Sequence, residues 1–284
     1  METNLPTDLS IPKFHRRIMC FDTETSGLMP KHKAGTPFPQ MEEYPYIMQL
    51  SWAIYNVATQ KIEEIVNEYV KIPKTAEISP ESIQVHKITR EISEEKGVDI
   101  IPLLNRFFTS YMKSDCIVAH NLSFDGELVR KEMWRNRELL KRTIPSVERV
   151  NMMCGVFTKK FNTAYHIDTF CTMMNTIKFC GIDFVPKQPS IQPPDGSDLQ
   201  FEPSLELRRS VEKVLGESPY PKQTKKKFPR LNELYSKLFE VGLPSDLHNS
   251  IVDVLVCLRC FLKVRGVVEM SESEFQQLIE KYSR

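Results

Sequence analysis

No stretch of the 284-residue chain approaches the 18 or more consecutive apolar residues of a membrane-spanning helix. The N-terminal segment METNLPTDLSIPKFHRR holds no apolar run of signal-peptide length either. A dominant charge sign is also missing. With 38 basic and 37 acidic residues the net charge is +1, so an anionic polymer has to be held by local patches rather than by a global field. Nor is there an even set of cysteines. The seven present (Cys20, Cys116, Cys154, Cys171, Cys180, Cys257 and Cys260) are scattered among apolar neighbours, which argues against a disulfide framework and for reduced, mostly buried thiols. The expectation is a cytoplasmic or nuclear protein with no membrane partner.

What is present is the composition of a folded protein. Apolar residues make up 41% and charged residues 26%, so disorder throughout is not expected, and the length suffices for one large domain or two small ones. Residues 1–15 are polar, carry two prolines and read as a loose leader. The run Arg16 to Asp22 suits a buried strand, and residues 29–46, with four prolines, a long loop. Ile47 to Tyr55 and Ile62 to Val70 read as a hairpin joined by Asn56 to Lys61. A helix start follows at Ser79, then a helix over Ile101 to Met112 and a buried strand over Cys116 to Ala119. A helix over about Phe124 to Leu140 comes next, and a strand over Ile167 to Phe170 runs into a helix over Cys171 to Phe179. Strands separated by helices predict an α/β fold, and the early hairpin makes its sheet mixed.

Residues 183–224 break this pattern. Seven of the nineteen prolines lie there, interrupted by a helix-like stretch from Leu205 to Leu215. The segment reads as a Pro-rich insertion in one domain spanning 16–284, with an interdomain linker as the rival reading. Leu231 to Phe239, Leu247 to Val264 and Glu272 to Tyr282 read as closing helices.

The placement of the acids carries the chemistry. Asp22 and Glu24 follow the apolar run Ile18-Met19-Cys20-Phe21, and residues i and i+2 of a strand face the same way. Asp125 follows the second buried strand in Ala-His-Asn-Leu-Ser-Phe-Asp. Asp253 lies in Ile-Val-Asp-Val-Leu-Val-Cys-Leu, a helix apolar on nearly every side. A carboxylate there is strongly disfavoured unless its charge is compensated, and four converging acids repel one another. Divalent cations remove both problems, and hard oxygen ligands favour Mg²⁺ or Mn²⁺ over Zn²⁺. A pair of such ions suits in-line displacement at phosphorus, which is phosphodiester hydrolysis. His248 precedes Asp253 by five residues, well round a helix axis from it. Both reach one site only if His248 sits on the loop or first turn, where Pro244-Ser245-Asp246 marks a helix start. From there a near-neutral imidazole can take the proton from the attacking water.

These segments together resemble the DEDDh (DnaQ-like) 3′→5′ exonuclease superfamily. Phe-Asp-Thr-Glu-Thr-Ser-Gly-Leu at 21–28 is similar to its first motif, Ala-His-Asn-Leu-Ser-Phe-Asp at 119–125 to its second, and His-Asn-Ser-Ile-Val-Asp at 248–253 to its third. Gln49-Leu50-Ser51-Trp52-Ala53, Val85-His86-Lys87-Ile88-Thr89 and Phe228 to Tyr235 resemble family segments between them. Each motif alone is weak, but all three in order make a strong signal. The resemblance implies a ribonuclease-H-like fold, a five-stranded mixed sheet flanked by helices. It implies removal of nucleotides from 3′ ends with two Mg²⁺ or Mn²⁺ ions, held by Asp22, Glu24, Asp125 and Asp253, with His248 as general base. It also implies that Thr25, Leu28, Asn121 and Phe124 hold the terminal nucleotide. Ser250 stands where the family often has Ala, a departure expected to be harmless.

The expected substrate is a single-stranded or frayed DNA or RNA 3′ end, DNA slightly favoured, with a polymerase or a replication or repair factor as partner. The alternative is a silent nucleic-acid-binding or polymerase-associated module. Cys257-x-x-Cys260 has no partner pair and reads as a buried helix face rather than a zinc site. His86, His120 and His166 read as structural or peripheral, and Asp168-Thr169 as a sheet-end hydrogen bond. Arg130, Lys131, Arg135 and Arg137 form a partial helical stripe that could steer a strand, as could Lys225-Lys226-Lys227.

Overall fold

The structure, a computed structural model, describes residues 15–32, 35–184, 226–243, 247–267 and 270–282. Strand β1 (Arg17–Thr25) is apolar on both faces, with Ile18, Met19, Cys20 and Phe21 fully buried. A strand of that kind has to lie inside a sheet covered on both sides. It pairs antiparallel with β2 (Ile47–Asn56), which pairs antiparallel with β3 (Lys61–Tyr69). On its other edge it runs parallel to β4 (Cys116–Ala119), which is parallel to β5 (Asp168–Cys171). The order is β3-β2-β1-β4-β5. This five-stranded mixed sheet flanked by helices is the ribonuclease-H-like fold that the motifs implied.

The helices in chain order are α1 (Pro80–His86), α2 (Arg90–Lys96), α3 (Ile100–Met112), α4 (Leu122–Arg135), α5 (Arg137–Thr143) and α6 (Val147–Met153). Then come α7 (Lys159–Ala164), α8 (Thr172–Asn175), α9 (Ile177–Cys180), α10 (Leu231–Phe239), α11 (Ser250–Val264) and α12 (Glu272–Tyr282). The period-2 alternation of β1 divides the core between them. Met19 and Phe21 join the cluster that includes α3 and α4, and Ile18 and Cys20 join the one built on α10, α11 and α12. In α11 every side chain except Lys263 is buried, because it packs on the sheet and is covered by α10 and α12.

Three expected helices differ in extent. The helix foreseen over 124–140 is two helices broken at Asn136, whose side-chain amide donates to Glu132 O at 2.9 Å and Glu132 Oε2 at 3.1 Å. An amide that bonds the preceding turn competes with helix propagation. The stretch from Cys171 to Phe179 is the two short helices α8 and α9. The last long helix starts at Ser250 rather than Leu247. Helices α2, α6 and α7 were not foreseen, since six or seven residues show too little of a 3.6-residue period.

By contacts the chain forms two compact units, Met1–Cys180 with Pro229–Arg284, and Gly181–Phe228. In the smaller unit Asp183 and Lys226 form an antiparallel bridge, with Lys226 Nζ 2.6 Å from Asp183 Oδ1. The expected leader up to residue 14, Lys225 and the helix-like stretch from Leu205 to Leu215 lie outside the described residues.

One buried cation ties the C-terminal helix to the core. The Arg259 guanidinium on α11 lies 4.2 Å from the Phe239 ring centroid and 4.3 Å from that of Phe275. It donates to Tyr235 Oη at 2.7 Å and pairs with Glu272. Replacing Arg259 by Ala removes the charge, the aromatic contacts and the α12 anchor together. The expected cost is about 3 kcal/mol, a Tm lower by several degrees in thermal melts; an unchanged Tm would show that this cage does not hold α12.

Candidate active site

At the C-terminal end of β1 the apolar alternation gives way to acids. Asp22 and Glu24 occupy the face that Ile18 and Cys20 begin, opposite Ser51 and Gln49 of β2 in the register. That face looks onto α11, which carries Asp253 in its first turn, 9% exposed. One carboxylate oxygen from each of Asp22, Glu24 and Asp253 lies within 4.8 Å of the others. Asp125, in the first turn of α4, reaches the strand end from the other face. Its Oδ1 accepts the Thr23 hydroxyl at 2.6 Å, and Thr23 alternates away from Asp22 and Glu24. The structure thus gathers three of the four foreseen ligands into one oxygen cluster and holds the fourth through Thr23.

The electrostatics follow from burial and crowding. Burial pushes Asp22 well above the usual carboxylate range, and Asp125, Asp253 and Glu24 push it further. Glu24 rises to about 8 from burial and from Asp253 and Asp125. Asp253 rises to about 7, mainly from burial, against the lowering effect of the His248 backbone N–H. Asp125 also rises to about 7 from burial, the Thr23 hydrogen bond opposing it. Hard oxygens crowded until they hold protons near neutrality fit a divalent cation, which supplies the missing positive charge.

His248 lies on the loop two residues ahead of α11, the placement that proximity to Asp253 demanded. It is exposed, and its backbone has φ 84°, the left-handed region that non-glycine residues rarely occupy. Its N–H donates to Asp253 Oδ2 at 3.0 Å. Pro244-Ser245-Asp246 lies outside the described residues.

The four residues foreseen around the terminal nucleotide stand at the ends of β1 and β4. Leu28 is 84% exposed, while Asn121 and Phe124, flanking the start of α4, are half-buried. The Thr25 hydroxyl, foreseen as a nucleotide contact, donates internally to Gly27 O at 2.7 Å. Beside it is a residue that sequence reasoning set aside. The Nδ1 of His86 accepts the Ile88 N–H at 3.0 Å, so its Nε2 carries the proton and donates to Thr25 O at 3.0 Å. Burial holds the His86 pKa below its ordinary value. The segment Val85 to Thr89 resembles a family segment, and only the fold shows its contact with Thr25.

Other residues resolve into structure. Arg130 pairs with Glu127 at 2.7 Å and Lys131 with Glu127 at 3.5 Å. Arg135 pairs with Glu132 and donates to the carbonyls of Met41, Tyr44 and Pro45. The basic stripe is therefore engaged with its own helix and the 41–45 turn. Arg137 donates to Asn151 Oδ1. His120 Nε2–H donates to Pro229 O, and burial lowers its pKa to about 4. Asp168 binds His15 at 2.7 Å and pairs with Cys116 at the far end of the sheet from the acids. Cys257 and Cys260 are buried in α11.

Residues 19–177 match the RNase_T family, described as Exonuclease. No curated protein matches the chain. Among solved structures, E. coli Exonuclease I in complex with a dA16 oligonucleotide is 14% identical with a TM-score of 0.53, over 94% of this chain and 43% of that one. Its complex with a dT13 oligonucleotide is 15% identical with a TM-score of 0.53, over 88% and 42%. The zinc-ion-bound form of the E. coli ExoI–ssDNA complex is 15% identical with a TM-score of 0.52, over 94% and 43%. The chain spans less than half the length of these structures, and the likeness is one of fold.

The raised carboxylates set a pH dependence. Asp253 moves from 3.8 to about 7 on folding, so between those values the folded chain holds a proton that the unfolded chain has released. Metal-free stability therefore falls as pH rises through that window. Melts of the metal-free protein should show a lower Tm at about pH 8 than at about pH 5, with Mg²⁺ raising Tm more at the higher pH. A metal-free Tm that does not fall would contradict this account of the cluster.

Proposed function

The chain belongs to the RNase_T exonuclease family, and from that membership we propose that it hydrolyses phosphodiester bonds at nucleic-acid 3′ ends, working 3′→5′, with DNA slightly favoured over RNA. The observation that carries the reading is the oxygen cluster of Asp22, Glu24 and Asp253 at the end of β1. The oligonucleotides in the E. coli Exonuclease I complexes support a nucleic-acid strand as the substrate class.

Asp22, Glu24 and Asp253, with Asp125, would hold two Mg²⁺ or Mn²⁺ ions. When bound, such ions polarise the phosphoryl group as Lewis acids and neutralise developing charge. The remaining work falls to the chain's own groups. His248, exposed on its loop, takes the proton from the attacking water. Its backbone N–H orients the Asp253 carboxylate. Thr23 fixes Asp125 through its hydroxyl. Leu28 packs against the terminal base as an apolar wedge, and Asn121 and Phe124 line the same pocket. His86 holds the Thr25 carbonyl, which keeps Thr25 to Leu28 in line with the acids.

The test uses single-stranded DNA and a matching RNA, each 5′-labelled, with Mg²⁺, Mn²⁺ or chelator. A metal-dependent ladder shortening from the 3′ end is expected, faster on DNA; no cleavage of either by folded, metal-supplied protein would overturn the reading. Replacing Asp22 and Glu24 together by Ala should abolish cleavage while leaving the metal-free Tm unchanged or higher, since it relieves repulsion. Replacing His248 by Ala should lower kcat by about 10²- to 10⁴-fold.

A further inference from the structure

The sheet face that carries the acids on β1 continues as a polar row on β2 and β3. Asp22 stands opposite Ser51, and Ser51 opposite Asn67; Glu24 stands opposite Gln49. Gln49 is 2% exposed and Ser51 and Ser250 are fully buried, so their hydrogen bonds have to be made within the protein. Gln49 Nε2 donates to Asn67 Oδ1 at 2.8 Å and to Asn249 Oδ1 at 3.3 Å. Its Oε1 accepts the Ser250 N–H at 3.4 Å. The single Ser51 proton goes to Asn67 Oδ1 at 2.8 Å. In the 2.5 Å contact between the two hydroxyls, Ser250 is therefore the donor and Ser51 the acceptor.

This arrangement caps α11 from outside. Asn249 occupies the N-cap position without capping the helix through its side chain. Instead that amide bridges Gln49 and the carbonyl of Tyr282, to which its Nδ2 donates at 3.2 Å. The residue immediately before it is His248, with its φ of 84°. The His248 side chain itself is exposed. The residue's own N–H is held by Asp253 Oδ2, and the next two residues are anchored by Gln49, Ser51 and the Tyr282 carbonyl.

We propose that Gln49 and Ser51 are positioning residues for His248, acting through Asn249 and Ser250, and that Ser250 is the docking partner of Ser51 rather than a neutral departure from Ala. The proposal rests on the reading of His248 as general base.

The test places Gln49→Met, Ser51→Ala and Ser250→Ala in the native chain and in His248→Ala, and follows single-turnover cleavage of 5′-labelled single-stranded DNA with Mg²⁺. In the native background Gln49→Met should lower kcat by about 10- to 100-fold with KM little changed, since a shift of about 1 Å in a catalytic group has that scale of effect. Ser51→Ala and Ser250→Ala should each cause a smaller loss. In the His248→Ala background all three should cause no further loss. A loss as large in that background as in the native one would overturn the proposal, as would an unchanged kcat. Should Gln49→Met fold poorly by its Tm, the two serine variants carry the same comparison. Native-level cleavage by His248→Ala would instead sink the general-base reading, an outcome distinct from additivity.

Discussion

Four crowded carboxylates, Asp22 half-buried and the other three buried, repel one another at the end of a central strand, and the rest of this structure depends on that constraint. Burial raises Asp22, Glu24, Asp125 and Asp253 far above ordinary carboxylates, and neighbouring charge adds to it at Asp22, Glu24 and Asp253, an arrangement that opposes folding above neutral pH. The surrounding fold supplies enough rigid apolar packing to hold it. β1 is buried on both faces, and α11 is buried on nearly every side. Such elements cannot relax to separate the charges without opening the core.

The sheet topology turns this constraint into a site. Because β1 is flanked by β2 on one edge and β4 on the other, helices reach its end from both faces. α4 brings Asp125 from one side and α11 brings Asp253 from the other. Alternation along β1 sorts the contacts, Asp22 and Glu24 facing α11 and Thr23 holding Asp125. The loop ahead of α11 then places His248 beside Asp253 through a backbone hydrogen bond. Polar side chains of β2, buried beside the acids, hold the same loop from the other direction.

Much of the fold was legible in the residues. The hairpin of β2 and β3 appeared with nearly its foreseen ends, since two long runs of strand-like composition flank a short connection. Less legible were breaks caused by single side chains, such as the amide of Asn136 that divides α4 from α5. The surroundings of the basic stripe on α4 were hidden for a related reason. Charge is written in the sequence, but whether Arg135 faces solvent or the carbonyls of the 41–45 turn is decided by residues ninety positions away.

The sequence by itself determined the acids of the candidate site and their company. Apolar runs identify buried strands and helices, and an acid set into such a run needs a compensating charge whatever the fold. Tertiary structure alone decided which of these acids share one oxygen cluster, and that Asp125 is held through Thr23. It also decided that His86 holds Thr25 and that Gln49 and Ser51 anchor the turn behind His248. The physical reason is that these contacts join residues 61 to 201 positions apart. Local periodicity reports which way a side chain points, and only the packed sheet determines what it meets.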